Sequence, residues 1–205
     1  MMEKFTSLTA IAAPLLAANI DTDIIIPMGR MVTAERDDMH QFAFEPLRFL
    51  EDGSDNPEFV LNKSPFTRAE ILIVGPNFGC GSSREGAVWA LNGLGIRCLI
   101  GSGFGEIFYN NCFQNGILPI VLSVAEIEGL AEQVGTSDNA AVVTVDLEKK
   151  VIVPSIGPAM VFDIDPNRRQ QLLEGEDSIS LTLKRADEID AFRSMDKTKR
   201  PWIYS

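Results

Sequence analysis

The chain has 205 residues, 45% of them hydrophobic, and a formal net charge of −11. That length and apolar content supply the core of one domain, or of a core with an insertion, and leave too little for two full domains. The charge excludes an extended nucleic-acid or anionic-membrane surface, where Lys and Arg must neutralise phosphates, and any anionic substrate must be met by locally placed arginines.

The first apolar run, 8–18, superficially resembles a short signal peptide. Pro14 interrupts it, Glu3 offsets Lys4, and it leads straight into the polar turn Asn19-Ile20-Asp21-Thr22-Asp23, so it is expected to stay with the mature chain. No later run approaches the length of a membrane span. Residues 1–205 are read as one domain with a mobile loop insertion around 30–65. Its most exposed part is Glu51-Asp52-Gly53-Ser54-Asp55-Asn56-Pro57-Glu58, which is acidic and rich in turn formers.

Ile71-Leu72-Ile73-Val74 reads as a buried strand, and the segment after it, Gly75-Pro76-Asn77-Phe78-Gly79-Cys80-Gly81-Ser82-Ser83-Arg84-Glu85, carries the chemistry. Three glycines turn the backbone off the strand end and bring two hydroxyls and a guanidinium to a helix N-terminus, a place suited to a small anion. Ala87, Ala90, Leu91 and Leu94 form one apolar stripe, and Ser82-x-x-Glu85 has the form of a capping box, so a helix is expected to start near Ser82. A serine before a helix also reads simply as a cap. With the apolar run 96–101, the segment makes a βαβ unit whose loop lies at the C-terminal strand edge, where open α/β sheets bind ligands. Neither nucleotide fingerprint fits. The glycines are out of register for G-x-G-x-x-G, no Gly-Lys-Ser/Thr follows, and Gly101-Ser102-Gly103-Phe104-Gly105 meets Glu106 where a third glycine is required.

Further along, 106–116 reads as a short helix stopped by Gly116, with Asn110, Asn111 and Asn115 read as polar packing in preference to part of an anion site. A strand over 117–122, a helix over 124–133, a strand pair at 142–146 and 151–154, a helix over 166–174 and a last helix near 186–193 complete the pass. Cys80, Cys98 and Cys112 are odd in number and lack a C-x-x-C, which favours a reducing compartment and a cytoplasmic location. Cys98 and Cys112 read as buried thiols, and Cys80 sits in the glycine loop, where it can face a site without ligating anything. His40 is the only histidine, so a Ser-His-Asp triad requires it to meet a serine in space.

The run 19–27, the run 75–85, Ile107-Phe108-Tyr109-Asn110-Asn111-Cys112-Phe113-Gln114-Asn115-Gly116 and Leu118-Pro119-Ile120 are similar, in order and spacing, to the small subunits of isopropylmalate isomerase in the aconitase superfamily. The resemblance implies an α/β fold, a swivelling β/β/α domain in three layers with a mostly parallel, mixed sheet and crossover helices. It implies a hydro-lyase of leucine biosynthesis that moves a hydroxyl between neighbouring carbons of isopropylmalate, a small dicarboxylate. The catalytic partner is a separate large subunit bearing a [4Fe–4S] cluster, with no cofactor or metal on this chain. By the same resemblance Ser82 is the catalytic base, Ser83, Arg84 and Asp23 hold the substrate, and Gly79, Cys80 and Gly81 support the loop.

The family typically reads Ser-Arg-Glu-His-Ala-Pro, whereas Gly86 and Val88 stand here for the histidine and the proline, and Gly103 stands for a serine. Glycine early in a helix costs about 0.5 to 1 kcal/mol relative to alanine, so a histidine at 86 is expected to stabilise the chain modestly. Arg30 and Arg36, in the loop after Pro27, are candidates near the substrate side chain. Another 2-alkylmalate or homoaconitate as substrate, or a non-catalytic anion- or nucleotide-binding module, are the alternatives.

Overall fold

The computed structural model describes residues 2–82, 84–135 and 141–204. In chain order its elements are β1 (Ser7–Leu15), α1 (Thr22–Ile25), α2 (Met28–Thr33), α3 (Glu45–Arg48), β2 (Ala69–Val74), α4 (Glu85–Gly93), β3 (Cys98–Gly101), α5 (Glu106–Gln114), β4 (Leu118–Val121) and α6 (Val124–Val134). There follow β5 (Val142–Asp146), β6 (Val151–Pro154), β7 (Met160–Val161), α7 (Pro166–Glu174), α8 (Ser178–Leu183) and α9 (Ala186–Lys199). The strands form one seven-stranded sheet in the order β4-β3-β2-β1-β5-β6-β7. β1 to β4 are parallel, and β5 to β7 extend the sheet antiparallel.

Alternation along the strands builds two cores, one on each face of the sheet. Ile71 and Ile73 of β2, with Cys98 and Ile100 of β3, face a layer that includes Ile127, Leu130 and Val134 of α6. Leu72, Val74 and Leu99 face the other way, onto Ala87, Val88, Ala90 and Leu91 of α4 and Phe108 and Cys112 of α5. All four β2 residues are fully buried, which explains why this strand reads as a continuous apolar run, as expected of a strand covered on both faces.

Pro14 lies inside the central strand β1 without breaking it. Antiparallel pairing with β5 stops at Ile11, one further bond runs from Ala12 N to Ala141 O, and past that β1 pairs only with β2, so the missing N–H costs no ladder bond on the β5 side. The signal-like run is thus the middle of the sheet. Pro119 falls in β4, an edge strand.

Two expectations change. The helix after the glycine loop starts at Glu85 with Arg84 as its N-cap and no side-chain cap bond, so the Ser82-x-x-Glu85 capping box does not form. Instead Glu85 Oε1 accepts a hydrogen bond from Asn115 Nδ2 at 2.9 Å. The last helix runs to Lys199, preceded by α8, whose Ile179, Leu181 and Leu183 alternate in the sequence as in a strand and so give no helical signal. The region 30–65 contains α2, α3 and a 3-10 turn over Arg36–Phe42, and it buries Met39, Ala43, Phe44 and Phe59 in the α4-side core.

Candidate active site

Three segments leave the C-terminal ends of β1, β2 and β3 and stay paired beyond the sheet. On one side of the glycine loop, Asn19 N donates to Pro76 O (3.0 Å), Gly79 N to Ile20 O (2.7 Å) and Thr22 N to Cys80 O (3.0 Å). On the other, Phe78 N donates to Gly103 O (3.2 Å) and Gly105 N to Phe78 O (2.9 Å). The glycine-rich near-miss motif after β3 therefore serves to hold this loop.

Backbone geometry explains the glycines. Gly79 has φ +69°, and a Cβ there would lie 2.2 Å from the Phe108 ring. Gly75 has ordinary φ, but a Cβ would lie 2.3 Å from Leu16 O. Gly81, at φ +92°, passes beside Asp21 and Thr22. Phe78 is fully buried edge-on against Phe108, centroids 5.6 Å apart. Burying such a ring contributes about 1.5–3 kcal/mol, enough to pin the loop between its neighbours.

The polar groups then follow. Asp21 Oδ1 caps α1 by accepting from Ile24 N at 2.8 Å, which sets Asp23 in the first turn. Asp23 Oδ1 accepts from Met28 N at 3.2 Å and pairs with Arg84 Nη1. Arg84 Nη2 lies 3.4 Å from Ser82 Oγ, and Thr22 Oγ1 donates to Ser82 O at 3.2 Å. Ser82 and Asp23 are exposed, whereas the Arg84 side chain is only 12% exposed. A largely covered guanidinium thus joins a carboxylate and a hydroxyl on an open face. The hydrogen bond from Arg84 holds the Asp23 carboxyl below the usual carboxylate range.

Ser82, Arg84 and Asp23 are brought together just after the turn formed by Gly79, Cys80 and Gly81. Ser83 lies outside the described residues. Thr22 is an anchor the sequence reading missed. It is 1% exposed, and the signal for it was its place between two aspartates, one of which caps the short helix. Arg30 pairs with Glu45 at 2.6 Å, and Arg36 stacks on Trp89 and donates to Asn115, so both are held by this chain's own groups. His40 Nδ1 lies 2.7 Å from Asp37 O, a contact inside its own turn. Asn110 and Asn115 accept from Arg168 and Trp89, as polar packing requires.

Cys98 and Cys112 are fully buried, and burial pushes both thiols up, away from the thiolate a metal ligand must be. Cys80 is half-buried in the loop. Among the described residues no three Cys, His, Asp or Glu side chains converge on a metal-ion geometry, and no helix is long and apolar enough to cross a membrane. This donor set does not fit an iron–sulfur cluster.

The family model for the aconitase C-terminal domain matches residues 2–125. The 3-isopropylmalate dehydratase small subunit of Rhodospirillum rubrum is 51% identical over 202 residues, 98% of this chain and 97% of that one. The protein of the same name from Agrobacterium fabrum is 49% identical over 201 residues, 98% of this chain and 100% of that one. The crystal structure of 3-isopropylmalate dehydratase (leuD) from Methanocaldococcus jannaschii is similar with a TM-score of 0.63 and 25% identity, over 91% of this chain and 99% of that one.

Proposed function

Because the chain belongs to the 3-isopropylmalate dehydratase small subunits, within the aconitase C-terminal domain family, we propose that it works as the small subunit of a hydro-lyase of leucine biosynthesis. The enzyme isomerises 2-isopropylmalate to 3-isopropylmalate. A proton leaves the carbon beside the one bearing the hydroxyl, the C–OH bond breaks to give 2-isopropylmaleate, and water returns with the two positions exchanged.

The observation that carries the site reading is the Arg84 guanidinium, which spans Asp23 and the Ser82 hydroxyl on one exposed edge. Ser82 Oγ takes the proton from carbon and returns it to the neighbouring carbon. The helix N-terminus is a weaker aid than the sequence suggests, because α4 begins three residues later. Arg84 takes over that work. A unit positive charge 3.4 Å from a developing alkoxide is worth about 5 kcal/mol at an effective dielectric near 20, or roughly three to four pKa units. Asp23 offsets part of this charge while fixing the guanidinium plane. The guanidinium has five N–H donors, so it retains capacity to bind a substrate carboxylate beside its two contacts, and Ser83 is assigned to the same carboxylate.

An exposed serine in water gains little from these groups, so the site needs a cover that excludes solvent. The large subunit is assigned that role. By family resemblance it also bears a [4Fe–4S] cluster, which supplies Lewis acidity toward the leaving hydroxyl. Residues 1–205 are read as one swivelling unit acting in the cytoplasm. The test is reconstitution. The purified chain alone should not turn over isopropylmalate, and it should gain activity with an anaerobically prepared large subunit. Turnover by the chain alone, or none by the complex, would overturn the reading.

A further inference from the structure

The catalytic turn has no helix cap of its own, and something else must fix it. Arg84 is the N-cap of α4 without a side-chain cap bond. The first helical residue, Glu85, instead reaches Asn115, thirty positions away, at the C-cap of α5. We propose that Asn115 is the positioning residue that holds the start of α4, and with it Ser82 and Arg84, in working geometry.

Every polar valence of this amide is used. Oδ1 accepts from Trp89 Nε1 at 3.1 Å and from Arg36 Nη2 at 3.2 Å. Nδ2 donates to Glu85 Oε1 at 2.9 Å and to Asn111 O at 2.9 Å. Its own carbonyl accepts from Asn92 Nδ2 at 2.9 Å. The residue is 8% exposed. Two donors on one side and two acceptors on the other leave a single orientation of the amide that satisfies all four partners. The hub clamps α4 at Glu85, Trp89 and Asn92, one residue to two turns past Arg84, so the helix cannot shift along its axis without breaking it.

The backbone beneath is equally fixed. Asn115 N donates to Asn111 O and Cys112 O, and Gly116 follows at φ +77°. The amide therefore rides on a finished helix end, while the turn it serves ends at Arg84. Asn115 touches neither Ser82 nor Arg84 in any of these bonds; it acts through Glu85. The site assignment of Ser82 and Arg84 is taken from the proposed function, and the anchoring itself is independent of it.

An isosteric pair of substitutions tests the claim. Asn115→Asp keeps the oxygen that serves Trp89 and Arg36 and replaces the donor with an oxygen facing Glu85. Adding Glu85→Gln restores one hydrogen bond with its polarity reversed. In the isolated chain, amide hydrogen exchange at 89–93, the helix-bonded amides of α4, should speed up in Asn115→Asp by at least about tenfold and return toward wild type in the double variant. In the reconstituted complex, kcat for isopropylmalate should fall at least about tenfold in Asn115→Asp with KM little changed, and recover in the double variant. Unchanged exchange at 89–93, or a double variant as fast-exchanging as the single, would overturn the anchoring. Normal kcat in Asn115→Asp despite fast exchange would overturn its link to catalysis. An inert wild-type complex would instead contradict the proposed function, and the exchange measurement would still decide the anchoring.

Discussion

Gly86 is where helix propensity and packing oppose each other. A Cβ built on this buried glycine lies 2.6 Å from Met31 Sδ and 3.0 Å from Met31 Cγ, well inside contact distance. Met31 belongs to α2, which is otherwise exposed, and it packs across the start of α4 in the space a side chain at 86 would fill. Replacing glycine gains about 0.5–1 kcal/mol of helix propensity. Overpacking costs about 1–3 kcal/mol. For alanine the thioether can give way, and the two nearly cancel. A histidine ring cannot be seated without evicting Met31, so Gly86→His should destabilise the chain by about 1–2 kcal/mol, reversing the gain expected from sequence. Urea unfolding of Gly86→His in the Met31 and Met31→Ala backgrounds measures this directly. The penalty should shrink by at least about 1 kcal/mol when Met31 is truncated, since residues in contact couple at this scale. An equal effect in both backgrounds, or stabilisation in the native one, would refute the packing argument.

Three further outcomes follow from the same geometry. Arg84→Lys keeps the charge but loses the planar fork that joins Asp23 and Ser82, so KM for isopropylmalate should rise about tenfold or more in the reconstituted complex; an unchanged KM would remove Arg84 from substrate binding. Asp23 has a folded pKa below its unfolded value, so its pairing contributes stability above the ordinary carboxylate range that is lost as pH falls through the depressed value. The difference in urea midpoint between wild type and Asp23→Asn should therefore be constant from neutrality to about pH 5 and shrink only below about pH 4. Gly79→Ala meets the buried Phe108 ring at a positive φ and should cost at least about 2 kcal/mol, whereas Gly103→Ala meets nothing within 4 Å and should stay within about 0.5 kcal/mol.

The parts of the molecule legible in the sequence are those with a local physical cause. The continuous apolar run of β2, the strand pair 142–146 and 151–154, and the Pro-started, Gly-stopped helix α7 fall where pattern and capping chemistry put them. Tertiary competition decided the rest. Glu85 has the spacing to cap Ser82, yet it bonds Asn115, a partner invisible to local spacing. Pro14 reads as an interruption because nothing in the sequence says that β5 stops pairing at Ile11. The loop Gly75 to Arg84 was recognisable from its glycines and hydroxyls. That Thr22 anchors Ser82, and that Arg36 belongs to Asn115 and Trp89, depends on contacts between segments 53 or more residues apart.

The central claim is that Ser82 moves the proton. In the reconstituted complex, Ser82→Ala should lower kcat for isopropylmalate by at least about a thousandfold while KM stays within a few-fold of wild type, because the lost interaction is made only in the transition state. Thermal unfolding of the variant should match wild type, since Ser82 is exposed and its backbone carbonyl keeps the bond from Thr22. Near-normal turnover by a folded Ser82→Ala complex would contradict the account and leave Ser82 as no more than a residue of the turn.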